Sequence, residues 1–141
     1  ANSGVDLSNV SGNEVALRLP ENPDESAIKL ASKRKRISGI KNISVIISDT
    51  FGRPWREGQI NFSIGSSGIQ PTIDYRGKKD DFNKVMNVTE VAVIDELAGA
   101  AELVMRKTTR IPVVVIRGFK YKDTNLGTYS LFRNKHTDMF R

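Results

Sequence analysis

The spacing of apolar residues along the chain predicts two helices and four strands. Apolar residues that alternate with polar ones, or that form short β-branched runs, are typical of strands, whereas apolar residues three and four positions apart are typical of amphipathic helices. We therefore expect strands at residues 14–19, 43–48, 59–65 and 111–117, and helices at residues 23–38 and 88–107. Because these elements do not alternate as βαβ units, the pattern indicates an α+β fold with a mixed sheet and one long amphipathic helix.

The first predicted helix carries both a start and a stop signal. Asn22 is a favoured N-cap, Pro23 suits the first helical position, and Glu25 follows three residues after the cap. Gly39 is typical of the residue that ends a helix. We expect the buried side of this helix to consist of Ala27, Ile28, Ala31 and Ile37.

The second predicted helix has two carboxylates on or beside its apolar side. That side consists of Val91, Ile94, Ala98, Ala101 and Met105. Asp95 and Glu102 lie three or four residues from members of this set. Because an unpaired polar group is costly to bury, each carboxylate should meet a cation, a backbone donor or a ligand. A structural Arg or Lys is the favoured partner.

Composition narrows the class of protein. The chain has 141 residues, 38% of them hydrophobic and 27% charged, which fits one globular domain. It has no Cys, so a metal must be held by oxygen ligands or by the single His136, which we expect at the surface. Neither a membrane-spanning run nor a signal segment is recognisable, and we expect a cytoplasmic protein.

The net charge of +6 allows two interpretations. A basic chain can bind nucleic acid, or it can bind small phosphorylated and carboxylated ligands. The one dense basic run, residues 33–36, falls on a predicted helix and is best explained as a solvated helix face. The other basic residues are scattered among Gly and acidic residues, which favours a ligand pocket over a nucleic-acid surface.

The residues that follow the strand at 43–48 could bind a metal and a phosphate. Asp49 and Thr50 offer the oxygen ligands that Mg²⁺ and Mn²⁺ prefer, although the same pair is common in simple turns. Arg53 and Arg56 lie in the predicted loop behind them and could hold phosphate or carboxylate oxygens by bidentate contacts. These two arginines are our candidate catalytic residues. Trp55 could stack on a ligand or anchor the loop to the core.

Two further polar segments have a functional and an ordinary interpretation. Asp6 could be a second metal ligand, because two metals between carboxylates are a common arrangement in phosphoryl chemistry, but Asp in a Gly-rich segment usually makes a turn. Residues 74–80 mix acidic and basic side chains and are either a solvated loop or a pocket wall for an acidic substrate. The GxxxxGK[ST] loop is absent, which excludes a P-loop nucleotide-binding protein.

The motif SDTFGRPWR at residues 48–56 resembles a motif of the coenzyme F420 γ-glutamyl ligases. Gly58-Gln59 and Ile64-Gly65, which follow it, belong to the same similarity. It continues in order through residues 2–9, 19–27, 74–77, 95–105, 112–118 and 138–141. The similarity therefore covers essentially the whole chain.

This resemblance implies an amide-bond-forming ligase that is unrelated to the ATP-grasp enzymes. Such a ligase adds L-glutamate by γ linkage to the deazaflavin precursor F420-0, consumes GTP, and is expected to form an acyl phosphate. It also implies Mg²⁺ or Mn²⁺, K⁺ as a further cation, an unusual α+β fold and a homodimer. Neither nucleic acid nor a membrane is an expected partner.

Site residues carried over by the resemblance fall into two groups. The expected metal ligands are Asp6, Asp49 and Thr50. The expected nucleotide contacts are Asn9, Met105, Arg106, Lys107 and Thr108. The family often has Gly and then a metal-binding polar residue where this chain has Arg106 and Lys107. Because an ammonium cannot bind a metal, Lys107 either contacts phosphate or marks an altered use of metal.

Family members are longer than this chain, which corresponds to their C-terminal portion and begins without Met. We therefore expect an incomplete ligase fold, from an excised or processed piece, that keeps the metal carboxylates but lacks full ligase activity when isolated. The alternative is a non-catalytic domain of the same fold that binds a nucleotide or a deazaflavin.

Overall fold

The computed structural model describes residues 17–138 and the backbone of Val5 and Asp6. Its elements are β1 (Val5–Asp6), β2 (Leu17–Arg18), α1 (Pro23–Ser38), β3 (Val45–Arg53), β4 (Arg56–Ser67), β5 (Ile73–Asp74), β6 (Glu90–Val91), α2 (Val93–Met105) and a 3₁₀ helix (Thr128–Leu131). Among the described strands every pairing is antiparallel: β1 with β2, β3 with β4, and β5 with β6. The mixture of helix and strand is confirmed, but three small antiparallel sheets replace the predicted mixed sheet.

Helix α1 has the predicted bounds. The side chain of Asn22 accepts a hydrogen bond from the backbone N–H of Glu25 at 3.0 Å, and Gly39 adopts a left-handed φ of 71° just after the last turn. Ala27 and Ala31 are buried, as expected. The predicted burial of Ile28 and Ile37 is wrong, because α1 contacts the β3–β4 hairpin along a narrow seam of small residues.

Residues 51–58 form a β-hairpin rather than the predicted loop. Strands β3 and β4 pair from Val45↔Ser67 to Arg53↔Arg56, and only two residues connect them. Pro54 at the second position and Trp55 with a φ of 57° at the third suit a type II turn. Asp49 and Thr50 consequently lie in the middle of a strand, and not at its exposed end as the sequence suggested.

Helix α2 is shorter than predicted, with 13 residues. Glu90 and Val91 belong to β6, which pairs with β5, so the helix begins only at Val93. Ile94 and Ala98 are fully buried, as the apolar spacing predicts. Val93 and Ile94 join Ile69 in the main buried cluster of the molecule.

The expected buried strand at residues 111–117 is absent. This segment has no regular structure, and Val113 and Val115 are 72% and 71% exposed. A β-branched run forms a strand only where a neighbour can pair with its backbone, and the part of the chain that the structure describes offers this segment none.

Backbone N–H groups on the edge of β4 that faces away from β3 donate to helix carboxylates instead of pairing with a third strand. The backbone N–H of Asn61 donates to Glu102 Oε2 at 2.8 Å, and that of Ser63 donates to Asp95 Oδ1 at 2.9 Å. Asn61 and Ser63 lie two residues apart, so both N–H groups face the same edge. The two carboxylates that the sequence placed on the apolar side of α2 therefore meet backbone donors, one of the predicted outcomes.

A third carboxylate attaches α1 to the same edge. Ile64 has no partner in the register because Ile47 pairs with Gly65 and Ser48 pairs with Ser63. This extra residue shifts the alternation of N–H groups by one, as a β-bulge does. The N–H of Ser66 therefore faces outward and donates to Asp24 Oδ1 at 2.8 Å.

Asp24 also joins the 3₁₀ helix to this arrangement. Its carboxylate accepts hydrogen bonds from the backbone N–H groups of Thr128 at 2.8 Å and Tyr129 at 3.2 Å. A Cβ atom at Gly127 would lie 2.2 Å from Asp24 Oδ2, so a larger residue there would displace the carboxylate. One side chain thus holds together α1, β4 and the 3₁₀ helix.

None of the helices in the described segments has the length and apolar character needed to span a bilayer.

Candidate functional site

Asp49 and Thr50 lie on opposite faces of the β3–β4 hairpin, because successive side chains of a strand alternate. Asp49 shares its face with Phe51 and Phe62, whose ring centroids are 6.1 Å apart. Asp49 Oδ1 accepts the backbone N–H of Thr50 at 2.8 Å, the one hydrogen bond to this carboxylate from the described residues. Asp49 is partly exposed, which suits a carboxylate that takes a hard cation.

The opposite face carries a polar cluster built around Thr50. The Thr50 hydroxyl donates to Asn61 Oδ1 at 2.8 Å and accepts a hydrogen bond from Lys107 Nζ. Lys107 Nζ also lies 3.1 Å from Glu102 Oε1. Asn61 Nδ2 donates to Ser48 Oγ at 3.3 Å. An ammonium, two hydroxyls, an amide and a carboxylate thus meet beneath α2.

The sequence pattern misses this cluster because the polar side of β4 is its buried side. Asn61 and Ser63 are each 7% exposed, whereas Ile60, Phe62 and Ile64 are only partly buried. The alternation of polar and apolar residues alone predicts that Ile60, Phe62 and Ile64 are the buried residues. The available signal was the pair of carboxylates on the apolar side of α2, which required polar partners.

The donor set near Asp49 and Thr50 fits a divalent metal only in part. The carboxylate of Asp49 has one hydrogen bond from the described residues, which suits a ligand of Mg²⁺ or Mn²⁺. The Thr50 hydroxyl instead faces the ammonium of Lys107. Within the described residues no three His, Asp or Glu side chains come together as a metal cluster. The side chain of Asp6, the other expected ligand, lies outside the described part of the structure.

Arg53 and Arg56 lie at the tip of the hairpin, opposite each other across the turn. Four residues of extended strand separate Arg53 from Asp49, which corresponds to roughly 13 Å. Arg53 Nη2 donates to the carbonyl oxygen of Glu57 at 3.0 Å. The sequence suggested one site for metal and phosphate, but in the structure Asp49 lies at the base of an extended hairpin and the two arginines lie at its tip. Trp55, between these cations, is 87% exposed and does not anchor the turn to the core.

The predicted nucleotide-contacting residues surround the end of α2. The helix ends at Met105, and Arg106 takes a positive φ of 50° while its N–H donates to the carbonyl oxygen of Glu102 at 2.8 Å. Arg106, Lys107 and Thr108 are exposed and so are accessible to a ligand. Asn9 lies outside the described residues. The role of all these residues in nucleotide binding stays a prediction.

The charged segment at residues 74–80 has the features of a solvated loop. Arg76 Nη2 lies 2.6 Å from Asp74 Oδ2 and 3.6 Å from Glu90 Oε2, and all three side chains are exposed. Hydrogen bonds from Arg76 lower the pKa of Asp74 to about 2. Arg76 and Asp74 are thus paired with each other at the surface, which favours the ordinary interpretation. His136 is exposed, as predicted.

A cleft of about 840 Å³ lies between the start of α1, the hairpin, α2 and the 3₁₀ helix. Phe51, Phe62 and Phe132 contribute much of its apolar wall, and Asp95 and Thr128 are among its polar groups. Burial raises the pKa of Asp95, while the hydrogen bond from the N–H of Ser63 opposes that rise. The cleft borders the face of β3 that carries Asp49.

Residues 1–118 match the family of F420-0:γ-glutamyl ligases, including the hairpin and α2. The chain belongs to this family. The resemblance of the motif at residues 48–56 is thereby confirmed at the level of the whole family. The match also includes both carboxylates expected to bind metal, Asp6 and Asp49.

Curated relatives support the same assignment. A protein of Methanocaldococcus jannaschii is 46% identical over 143 positions that cover 100% of this chain and 56% of the relative. One of Methanosarcina mazei is 47% identical over 121 positions, which cover 85% of this chain and 47% of the relative. One of Methanothermobacter thermautotrophicus is 40% identical over 144 positions, which cover 100% of this chain and 56% of the relative. Each is named coenzyme F420:L-glutamate ligase, and the chain spans about half the length of these relatives.

Proposed function

We propose that this chain supplies a metal- and nucleotide-binding part of a coenzyme F420 γ-glutamyl ligase. The ligase uses GTP to attach L-glutamate by γ linkage to F420-0. The observation that carries the proposal is the family match over residues 1–118, supported by relatives named coenzyme F420:L-glutamate ligase. The partly exposed carboxylate of Asp49, with one hydrogen bond from the described residues, supports the metal-binding role.

Asp49 and Asp6 are the carboxylates that would hold Mg²⁺ or Mn²⁺. The ion would neutralise the negative charge that the transferred phosphoryl group carries. The nucleotide would contact Asn9 and the turn from Met105 to Thr108, where exposed cations follow the end of α2. Arg53 and Arg56 provide two fixed positive charges at the hairpin tip, which suit a substrate rich in carboxylates and phosphate.

The reaction would proceed in two steps, phosphoryl transfer and then amide formation. A carboxylate oxygen of the F420 precursor attacks the γ-phosphorus of GTP, and GDP leaves, so that an acyl phosphate forms. The amine of L-glutamate then attacks the acyl carbon, inorganic phosphate leaves, and the amine loses a proton as the amide bond forms. The proposal includes a homodimer and K⁺ as a further cation.

A second candidate function is a non-catalytic domain that binds a nucleotide or a deazaflavin. Lys107 favours it, because its ammonium occupies the Thr50 side of the hairpin, where the resemblance implies a metal ligand. In this alternative the chain keeps Asp49 and binds Mn²⁺ and GTP without transferring glutamate.

The experiment that tests the proposal follows glutamate addition by mass spectrometry. The chain is incubated with F420-0, L-glutamate, GTP and Mn²⁺, and the F420 product is analysed together with GDP and phosphate. We expect slow formation of the glutamylated product that requires GTP and Mn²⁺ and disappears in Asp49→Asn. Binding of Mn²⁺ and GTP with no glutamylated product would contradict catalysis by this chain on its own. Product formation by Asp49→Asn at the wild-type rate would contradict the role of Asp49.

A further inference from the structure

Three elements bring oxygen atoms together on the face of the hairpin opposite Asp49. They are the hydroxyl of Thr50 from β3, the amide oxygen of Asn61 from β4 and the carboxylate of Glu102 from α2. We call this set the oxygen cluster. A hydroxyl, an amide oxygen and a carboxylate are a donor set that a hard divalent cation accepts.

The oxygen cluster is preorganised by its own hydrogen bonds. Thr50 Oγ1 lies 2.8 Å from Asn61 Oδ1, and Glu102 Oε2 accepts the backbone N–H of Asn61 at 2.8 Å. Asn61 is 7% exposed, so its amide is held within the packed interface between β4 and α2. The oxygen atoms therefore stay near one another whatever cation lies between them.

That cation is the ammonium of Lys107, which contacts two members of the cluster. Lys107 Nζ donates to Thr50 Oγ1 and lies 3.1 Å from Glu102 Oε1. A divalent ion at the same oxygens would meet a like charge at close range, which is strongly unfavourable in a partly buried site. The ammonium and a divalent ion are thus alternative occupants.

We propose that the Lys107 ammonium is a tethered cation that replaces one divalent ion at the oxygen cluster. The proposal rests on the proposed function, because that function supplies the expectation of metal ions on this hairpin. Of the two roles that the sequence allowed for Lys107, the proposed one is an altered use of metal. Asp49, on the other face, keeps its own divalent ion.

Manganese binding tests this proposal without any need for activity. Mn²⁺ alone is titrated into the wild-type chain and into Lys107→Gln, and unbound Mn²⁺ is measured from its EPR signal. Gln removes the charge and adds an amide oxygen. We expect Lys107→Gln to bind one more Mn²⁺ per chain than the wild type, or to bind Mn²⁺ about tenfold more tightly. Lys29→Gln, which removes an exposed lysine paired with Glu25, is the matched control and should change nothing.

A double variant locates the added ion. Lys107→Gln combined with Thr50→Val keeps the shape of residue 50 but removes its oxygen, and the gain in Mn²⁺ binding should disappear. Lys107 is 59% exposed, so its loss should leave the fold intact, which circular dichroism would verify. Lys107→Met provides a second variant without charge and should show a smaller gain.

The results separate this inference from the proposed function. Equal Mn²⁺ stoichiometry and affinity in the wild type, Lys107→Gln and Lys107→Met would overturn the tethered cation. A gain that persists in the double variant would also overturn it, because the ion would bind elsewhere. Asp49→Asn tests the proposed function in the same titration: it should remove Mn²⁺ from the wild type, whereas the gain from Lys107→Gln should remain.

Discussion

The two ends of α2 are attached to β4 in the same way but have different electrostatic surroundings. Near its start, Asp95 accepts the backbone N–H of Ser63, and near its end, Glu102 accepts that of Asn61. Glu102 also has the ammonium of Lys107 at 3.1 Å. None of the described residues places such a cation beside Asp95, and burial raises the pKa of this carboxyl group. The same docking interaction therefore leaves one carboxylate neutralised by a cation and the other costly to ionise.

This difference distinguishes a structural contribution of the two carboxylates from an electrostatic one. The hydrogen bond to the β4 edge is the structural part, because an unpaired N–H at that edge would destabilise the fold. The cation is the additional part, and within residues 17–138 it is found at the end of α2 that lies beside Thr50. Substitutions that remove the acceptor, the charge or the cation in turn should separate the two contributions.

The largest effect is expected at Asp24, which docks α1 as the two other carboxylates dock α2. Asp24→Ala removes the acceptor of three backbone N–H groups, those of Ser66, Thr128 and Tyr129. The free energy of unfolding should fall by roughly 2–4 kcal/mol, since part-buried donors lose their partner. Urea unfolding measures this loss, and Asp24→Asn, which keeps one acceptor oxygen, should lose less. A loss below about 1 kcal/mol would mean that these hydrogen bonds do not hold α1 in place.

Glu102→Ala should have the next largest effect. It leaves the N–H of Asn61 without an acceptor and Lys107 without its carboxylate, so we expect a loss of roughly 1–3 kcal/mol. Glu102→Gln keeps an acceptor for the N–H and should recover most of this stability while the ion pair stays lost. Glu96→Ala, at an exposed position of the same helix, is the control. Equal losses in the Ala and Gln variants would mean that the charge, and not the backbone hydrogen bond, stabilises this end of α2.

Ionisation of Asp95 should make the free energy of unfolding depend on pH. Its folded-state pKa is raised above the ordinary value of 3.8, so the native state binds this proton more tightly than the unfolded state does. Stability from this group is therefore present below pH 3.8 and is lost as pH rises through the folded-state pKa. Asp95→Asn keeps an acceptor for Ser63 and cannot ionise, so it should lack this loss.

Urea unfolding of the wild type and Asp95→Asn from acidic to neutral pH measures this effect. The difference between the two proteins isolates residue 95, because other carboxylates such as Asp74, whose pKa is lowered to about 2, are common to both. We expect the variant to gain stability relative to the wild type as pH rises. A constant difference would contradict the cost of ionising Asp95.

How much the sequence predicts depends on whether the signal is local. Helix α1 could be predicted to the residue, because Asn22, Pro23 and Gly39 act on their own backbone. The start of α2 could not, because Glu90 and Val91 pair with β5, a contact that periodicity does not contain. Val113 and Val115 have the composition of a buried strand, but a strand also requires a partner.

The candidate site could likewise be predicted from the sequence only in part. Asp49 and Thr50 could be selected from their chemistry and from the motif at residues 48–56. Their placement on opposite faces could not, because it follows from the hairpin that replaced the predicted loop. The contact between Thr50 and Lys107 joins residues 57 positions apart and depends on how α2 docks on β4. Only the structure brings these two together.

Calorimetry of GTP binding with and without Mn²⁺, for the wild type and Asp49→Asn, tests whether Asp49 holds the metal that the nucleotide requires. Asn can still accept the N–H of Thr50, so the fold should be unchanged. Asp81→Asn, at an exposed position, controls for the loss of one charge. We expect GTP binding that requires Mn²⁺ in the wild type and in Asp81→Asn and is abolished in Asp49→Asn. Wild-type affinity for GTP and Mn²⁺ in Asp49→Asn would contradict this role of Asp49.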